Sequence, residues 1–275
     1  MSYSYYPRPD EKGVNVCLHL SDCGCSTISY LTELGVKWVR TDWVITDDSS
    51  MRDYSQSLQN NNINLLAIVN MSTFGDQISL KEWNETVTYI VTSEGFNNTD
   101  TIEVGNEPNN DDYYIPPETY YEMLKSAYAI IKNYAGIPVV FAGVSPNVFG
   151  WQDYLSAVFA YGDTEDYFDY MGIHFYDDME TNLETLQFVK SLTDKQIWLT
   201  ETGKPSATEN YNETVQAEYL SLVCSTFKPL VNRIFIYELK DNPGATDDKE
   251  SHFGLLTVEG TQKEAYWIVC NVNRK

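Results

Sequence analysis

Positive charge is what this chain has least of. Eighteen lysines and arginines stand against forty acidic residues, a formal charge of −22. So negative a surface repels phosphate backbones, which excludes nucleic acid as a natural partner and favours neutral over polyanionic ligands. The plain reading of the same charge is solubility, or life at acidic pH. No apolar run approaches the roughly 20 residues of a membrane span, so none is expected. The first thirty residues are polar and tyrosine-rich with no apolar stretch, so no signal peptide is visible; the compartment stays open, with an extracellular setting favoured. Five cysteines are too few and too scattered for a disulfide framework. Cys17, Cys224 and Cys270 sit in apolar patterns and read as core, while Cys23 and Cys25 flank Gly24 in a loop, their pairing open. The three histidines, His19, His174 and His252, form no H-x-H element, so neither a metal nor a cofactor is expected. Four N-x-S/T sequons (Asn70, Asn84, Asn97, Asn212) occur in an asparagine-rich chain, where chance is the default.

What the chain does have is regular alternation. Apolar runs begin at Val14, Val36, Ile63, Thr101, Val139, Tyr170, Gln196 and Arg233, about 30 residues apart, the usual length of a βα unit. Between them lie helical stripes. Ile28, Leu31 and Leu34 precede Gly35; Asp53 to Asn60 is a polar helix. Ser79-Leu-Lys-Glu82 has capping-box spacing ahead of Leu80, Trp83, Val87, Ile90 and Val91. Pro116-Pro117 opens a helix with Tyr120, Met123, Leu124, Ala127 and Ile131 on one face. Leu155 and Val158, Leu186 and Val189, Leu220 and Val223, and Tyr266 and Val269 mark four more. Eight alternating units predict a single (β/α)8 TIM barrel over residues 13–275, without an accessory domain and with 1–12 as an N-terminal extension. A doubly wound open sheet is the competing architecture. It calls for a glycine-rich phosphate loop after the first strand, and Ser21-Asp-Cys-Gly-Cys is not one.

In a barrel every strand tip points to one mouth. The fourth strand stops at Asn106-Glu107-Pro108, where the proline is expected to hold Glu107 extended and end the ladder. The seventh ends at Glu201. The fold therefore brings two carboxylates to one site, the arrangement of a two-carboxylate glycosidase. The other tips add His19, Arg40 with Trp43, Asn70, Ser145, His174 with Tyr176, and Tyr237 with Glu238. Each has an alternative: His174 as a buried core histidine, Arg40 as a surface charge, Asn70 as a glycan acceptor, Glu238 as part of the wall.

Asn106-Glu107-Pro108 together with Trp198-Leu-Thr-Glu-Thr-Gly203 resembles the signature of clan A glycoside hydrolases. Gly35-Val-Lys-Trp-Val-Arg-Thr-Asp-Trp43, Ile173-His-Phe-Tyr176, Tyr237-Glu-Leu-Lys-Asp241 and Phe253-Gly-Leu-Leu256 resemble family 39 and its cellulase-like family 5 relatives. The resemblance runs from about residue 13 to 270. It implies a retaining mechanism with Glu107 as acid/base and Glu201 as nucleophile. It also implies Asn106 on the sugar 2-hydroxyl, Arg40 keeping Glu201 ionised, and His174 and Tyr176 orienting nucleophile or sugar. Tyr237 stands where clan members often carry tryptophan, an aromatic platform of different size and hydrogen bonding. With short loops and no β-sandwich after the barrel, an open groove and endo action are expected. The implied substrate is a neutral oligo- or polysaccharide, and the protein is expected to be a monomer. The alternatives are a barrel that binds carbohydrate without cleaving it, a transglycosylase using the same two glutamates, and a metal-dependent barrel hydrolase with a poor ligand set.

Overall fold

Each strand of the computed structural model pairs in parallel with its neighbours in sequence, and the eighth returns to the first, so the sheet closes into a barrel. The structure describes residues 13–18, 22–24, 26–43, 48–70, 79–207, 212–244 and 249–274. His19, Cys25 and the 1–12 extension lie outside them. The strands are β1 (Val14–Cys17), β2 (Trp38–Asp42), β3 (Asn64–Val69), β4 (Thr101–Val104), β5 (Val139–Phe141), β6 (Tyr170–Phe175), β7 (Gln196–Thr202) and β8 (Arg233–Ile236). The helices are α1 (Ile28–Leu34), α2 (Asp48–Asn60), α3 (Leu80–Thr92), α4 (Pro117–Tyr134), α5 (Trp151–Phe159), α6 (Met179–Leu192), α7 (Glu213–Phe227) and α8 (Glu264–Asn273). This is the single (β/α)8 barrel that the alternation predicts.

Local chemistry sets the helix ends. The Ser79 hydroxyl accepts from the Glu82 amide at 3.2 Å and the Glu82 carboxylate accepts from the Ser79 amide at 3.0 Å, a complete capping box. Gly35 ends α1 at φ 68°, a left-handed conformation that a side chain would strain. The predicted α4 stripe is wholly buried. Two expectations need adjusting: α2 begins at Asp48 rather than Asp53, and Leu80, at the first position of α3, is exposed rather than part of its stripe.

Strand alternation separates two apolar layers. Outward residues such as Val14, Val39, Leu65, Ile102, Val104, Phe141 and Ile173 pack beneath the helices. Inward residues Cys17, Trp38, Leu66, Val140, Trp198 and Phe235 fill the barrel itself. Near the N-terminal end of the strands, the Arg233 guanidinium lies 4.3 Å from the Trp38 ring centre and 4.7 Å from that of Trp198. Tyr170 stacks on Trp198 at 4.5 Å. The aromatic faces receive a cation that has been taken out of water, and this layer is the floor on which the polar mouth rests.

One outer side chain couples helix to barrel. The buried Tyr120 hydroxyl of α4 donates to the Val104 carbonyl at 3.2 Å and accepts from the Ala142 amide at 2.9 Å, bridging the ends of β4 and β5. Tyr120→Phe leaves both backbone groups unsatisfied in a dry layer. It is expected to lower stability by about 1–3 kcal/mol, read as a shifted midpoint in urea unfolding; an unchanged midpoint would show that the bridge contributes nothing.

Candidate active site

Arg40, third residue of β2, points into the barrel and is 2% exposed. A guanidinium buried this deeply requires acceptors on every side. Its Nε donates to Glu103 Oε2 at 2.6 Å, its Nη1 to Glu201 Oε1 at 2.5 Å and its Nη2 to Asn106 Oδ1 at 2.7 Å. The second Glu103 oxygen accepts from the Gly143 amide at 2.9 Å. Glu103 is fully buried and is absent from the expected site. A signal for it existed. Ile102 and Val104 face out, so the residue between them faces in, and an acid inside a barrel strand needs a cation.

Glu201 owes its direction to an irregularity in β7. Ile173 pairs with Leu199, but the next residue of β6, His174, pairs with Glu201; on the other side Leu199 pairs with Ile234 and Thr202 with Ile236. One extra residue is absorbed at Thr200–Glu201. Trp198 points in and Leu199 out, so regular alternation would carry Thr200 in and Glu201 out; the bulge resets the parity. Tyr176 donates to Glu201 Oε2 at 2.6 Å. Burial works against the charged carboxylate, but His174, Arg40 and the Tyr176 hydrogen bond outweigh it, and the Glu201 pKa lies below the usual carboxylate value. The Tyr176 phenol is pushed up, by burial first and then by the Glu201 charge.

Glu107 is not extended, as its proline neighbour led one to expect, but left-handed at φ 43°. Tertiary contacts override the local preference. Its amide donates to the Gly143 carbonyl at 2.9 Å and its carbonyl accepts from the Asn110 amide at 2.9 Å. Its Oε1 lies 2.8 Å from His174 Nδ1, and its Oε2 accepts from Asn110 Nδ2 at 3.0 Å. His174 also stands 3.6 Å from Glu201 Oε2, so one imidazole faces both acids. Burial disfavours its charged form, but the Glu201 charge and the contact with Glu107 raise its pKa on balance. The other side of the ring leans on Gly143, where any Cβ would collide with Nε2, so this position admits only glycine.

A carboxylate oxygen of Glu107, one of Glu201 and an imidazole nitrogen of His174 fall within 4.8 Å of one another. Among the described residues this is the group with the geometry to hold a metal ion. Each member is already engaged, however: Glu201 with Arg40 and Tyr176, and Glu107 with His174 and Asn110.

The structure thus brings together Arg40, Asn106, Glu107, His174, Tyr176 and Glu201. Tyr237 joins from β8, half-buried and edge-on to Phe253 at 5.5 Å, which also meets Tyr176 at 5.9 Å. Burial, then the nearby Glu238 and Glu201 charges, raise the Tyr237 phenol far above its ordinary value. The Tyr237–Glu238 peptide is cis. Asn70 reaches the mouth on β3 but donates to Asp42 at 3.1 Å rather than to either catalytic candidate. Trp43 does not belong to the cluster: it is 4% exposed in the outer layer, edge-on to Phe96 at 5.6 Å. Proximity to a strand end suggested it; parity, with Arg40 inward, sends it the other way. Cys17, read as plain core, is buried but faces the site. Its thiol donates to the Thr200 carbonyl at 3.4 Å and lies 3.9 Å from Arg40 Nη1.

Solved structures of similar fold include a family 39 glycoside hydrolase from Bacteroides cellulosilyticus WH2, at TM-score 0.74 and 19% identity over 96% of this chain and 64% of that one. A glucosidase from Croceicoccus marinus aligns at TM-score 0.72 and 15% identity, covering 90% and 63% respectively. A GH128 endo-β-1,3-glucanase from Sorangium cellulosum aligns at TM-score 0.68 and 18% identity, covering 94% and 98%. The chain therefore spans under two thirds of the first two enzymes and nearly all of the third. No curated protein matches it by sequence. The glycosyl hydrolase catalytic core model matches residues 29–253, and with that match over most of its length the chain belongs to that family.

Proposed function

We propose that the protein is a retaining glycosidase that cleaves β-linked bonds of a neutral oligo- or polysaccharide. The observation that carries this reading is the spacing of the two acids, oxygens of Glu107 and Glu201 lying within 4.8 Å of each other. Retaining enzymes hold their carboxylates about 5–5.5 Å apart, whereas inverting ones leave about 6.5–9.5 Å for an intervening water. The lowered pKa of Glu201 supports it as the nucleophile. Glu201, held ionised by Arg40, attacks the anomeric carbon while Glu107 gives its proton to the departing oxygen. Glu107, now a carboxylate against His174, then removes a proton from water; the water oxygen bonds to the anomeric carbon and the ester to Glu201 breaks. Asn106 has its Oδ1 engaged by Arg40, which leaves its Nδ2 donors for the sugar 2-hydroxyl. Tyr237 is the aromatic platform beneath the ring. The net charge of −22 favours a neutral glycan, and likeness to a bacterial endo-β-1,3-glucanase along 98% of that chain makes β-1,3-glucan the first probe and endo action the first expectation.

Wild type is expected to turn over at least one member of a panel of β-1,3-glucan, other β-glucans, xylan, mannan and aryl β-glycosides, releasing a product that is β at the new reducing end by proton NMR. Glu201→Gln should abolish turnover on all of them; full activity in that variant would sink the nucleophile assignment. Glu107→Gln should cost about 10²–10⁴-fold on polysaccharide, the usual size of a lost general acid, and far less on aryl glycosides whose leaving group needs no proton. Glycan binding without turnover by wild type would favour the binding barrel instead. Activity is expected to survive excess chelator, and its loss would revive the metal-dependent reading.

Tyr176→Phe tests the charge control on Glu201. The phenol hydrogen bond favours the ionised carboxylate, so removing it raises the Glu201 pKa, and the acid limb of the kcat/KM profile should move to higher pH. The basic limb should stay. Movement of both limbs together, or of neither, would contradict these roles.

A further inference from the structure

A second concavity, of about 250 Å³, opens at the same end of the barrel between the β4–α4 and β5–α5 loops. Phe149 forms one wall and is fully exposed at 105%; Tyr114, 47% exposed, forms another. The exposed carboxylates Asp111 and Asp153 line it as well. A single exposed aromatic ring is ordinary. Two in one cavity, with acceptors at its edge, form a binding surface of the type that takes a ring with one apolar face and a polar rim.

The cavity is braced by hydrogen bonds and shares the β4–α4 loop with the site. Asn109 lines it and exchanges two hydrogen bonds with Ser145, at 2.8 and 3.0 Å, sewing the two loops together. Tyr154 adds a hydrogen bond to the Ile115 carbonyl at 2.9 Å and stands edge-on to Tyr114 at 5.8 Å. The same loop begins with Glu107, whose Oε2 is held by Asn110. The cavity lies on the β4–β5 side of the mouth, with β6 between it and the strand of Glu201.

From this placement we infer that the Phe149–Tyr114 cavity is a subsite for a neutral sugar unit on the leaving-group side of the scissile bond. The inference rests on the glycosidase reading above. A proton donor must stand beside the departing oxygen, so chain beyond that oxygen leaves the site on the side of Glu107, whose loop lines this cavity from Asn109 on. The apolar face of a pyranose would stack on Phe149 or Tyr114 while its hydroxyls donate to Asp111 and Asp153. Those two carboxylates would repel a uronic acid, which commits the occupant to a neutral sugar.

The test maps bond choice with hexaoses of the β-1,3-gluco, β-1,4-gluco, manno and xylo series carrying oxygen-18 at the reducing end, with fragments resolved by mass spectrometry. Phe149→Ala, at a position that supports no core contact, should move cleavage toward the reducing end. It should also raise KM roughly tenfold, about what one lost stacking contact is worth. Phe149→Trp should restore the wild-type pattern. A shift toward the non-reducing end, or a pattern and KM unchanged in both Phe149→Ala and Tyr114→Ala while wild type turns over normally, would overturn the subsite alone. Absence of wild-type turnover on every series and on the polysaccharide panel would overturn the glycosidase reading and the subsite with it.

Discussion

The mouth of the barrel is organised by a single buried guanidinium. Arg40 is buried away from water, so two strands across the barrel must supply its three acceptors: Glu103 and Asn106 from β4 and its extension, and Glu201 from β7. Breaking a buried pair of this kind typically costs about 3–5 kcal/mol. The positive charge that depresses the pKa of Glu201 is therefore also a structural necessity, and Glu103 makes both possible. With one carboxylate dedicated to neutralising Arg40, the other can be exposed to a reacting centre without being fully spent on the ion pair.

The second organising group is His174. It lies against both candidate acids and against Gly143, whose amide anchors Glu103 and whose carbonyl anchors Glu107. One backbone unit at the tip of β5 thus positions the strand-four acid, the buried counter-ion and, through the missing side chain, the imidazole between the acids. The left-handed backbone at Glu107 belongs to this arrangement. A non-glycine residue holds such a conformation only where its surroundings over-determine it.

Most of the architecture was legible because it repeats. Eight apolar runs and eight stripes at regular intervals leave few alternatives to a closed barrel, and strand tips then name the mouth. Glu107 and Glu201 could be picked out because each ends a strand. What escaped were features of parity and of long-range contact. Trp43 was placed by its nearness to a tip, although the alternation through Arg40 sends it outward. Glu103 looked like part of an apolar strand, although that same alternation sends it inward. The conformation of Glu107 was inferred from Pro108, a neighbour one peptide away, while the deciding partners lie on β5 and β6. The bulge at Thr200–Glu201 has no distinctive residue to announce it, neither glycine nor proline, and shows only when the two flanking registers are compared.

That bulge has a consequence for how the barrel can diversify. Below it, β7 counts side chains in one frame, with Trp198 committed to the floor; above it, the count restarts for Glu201. The lower and upper halves of the strand are thereby decoupled, as two gears are by a free link. Substitutions that repack the floor need not disturb the frame that aims Glu201, and a lineage could remodel its mouth while inheriting its foundations unchanged. The reverse hazard is equally built in: a strand that kept every residue but ran regularly from Trp198, with no bulge, would be well formed and its acid would face the helices.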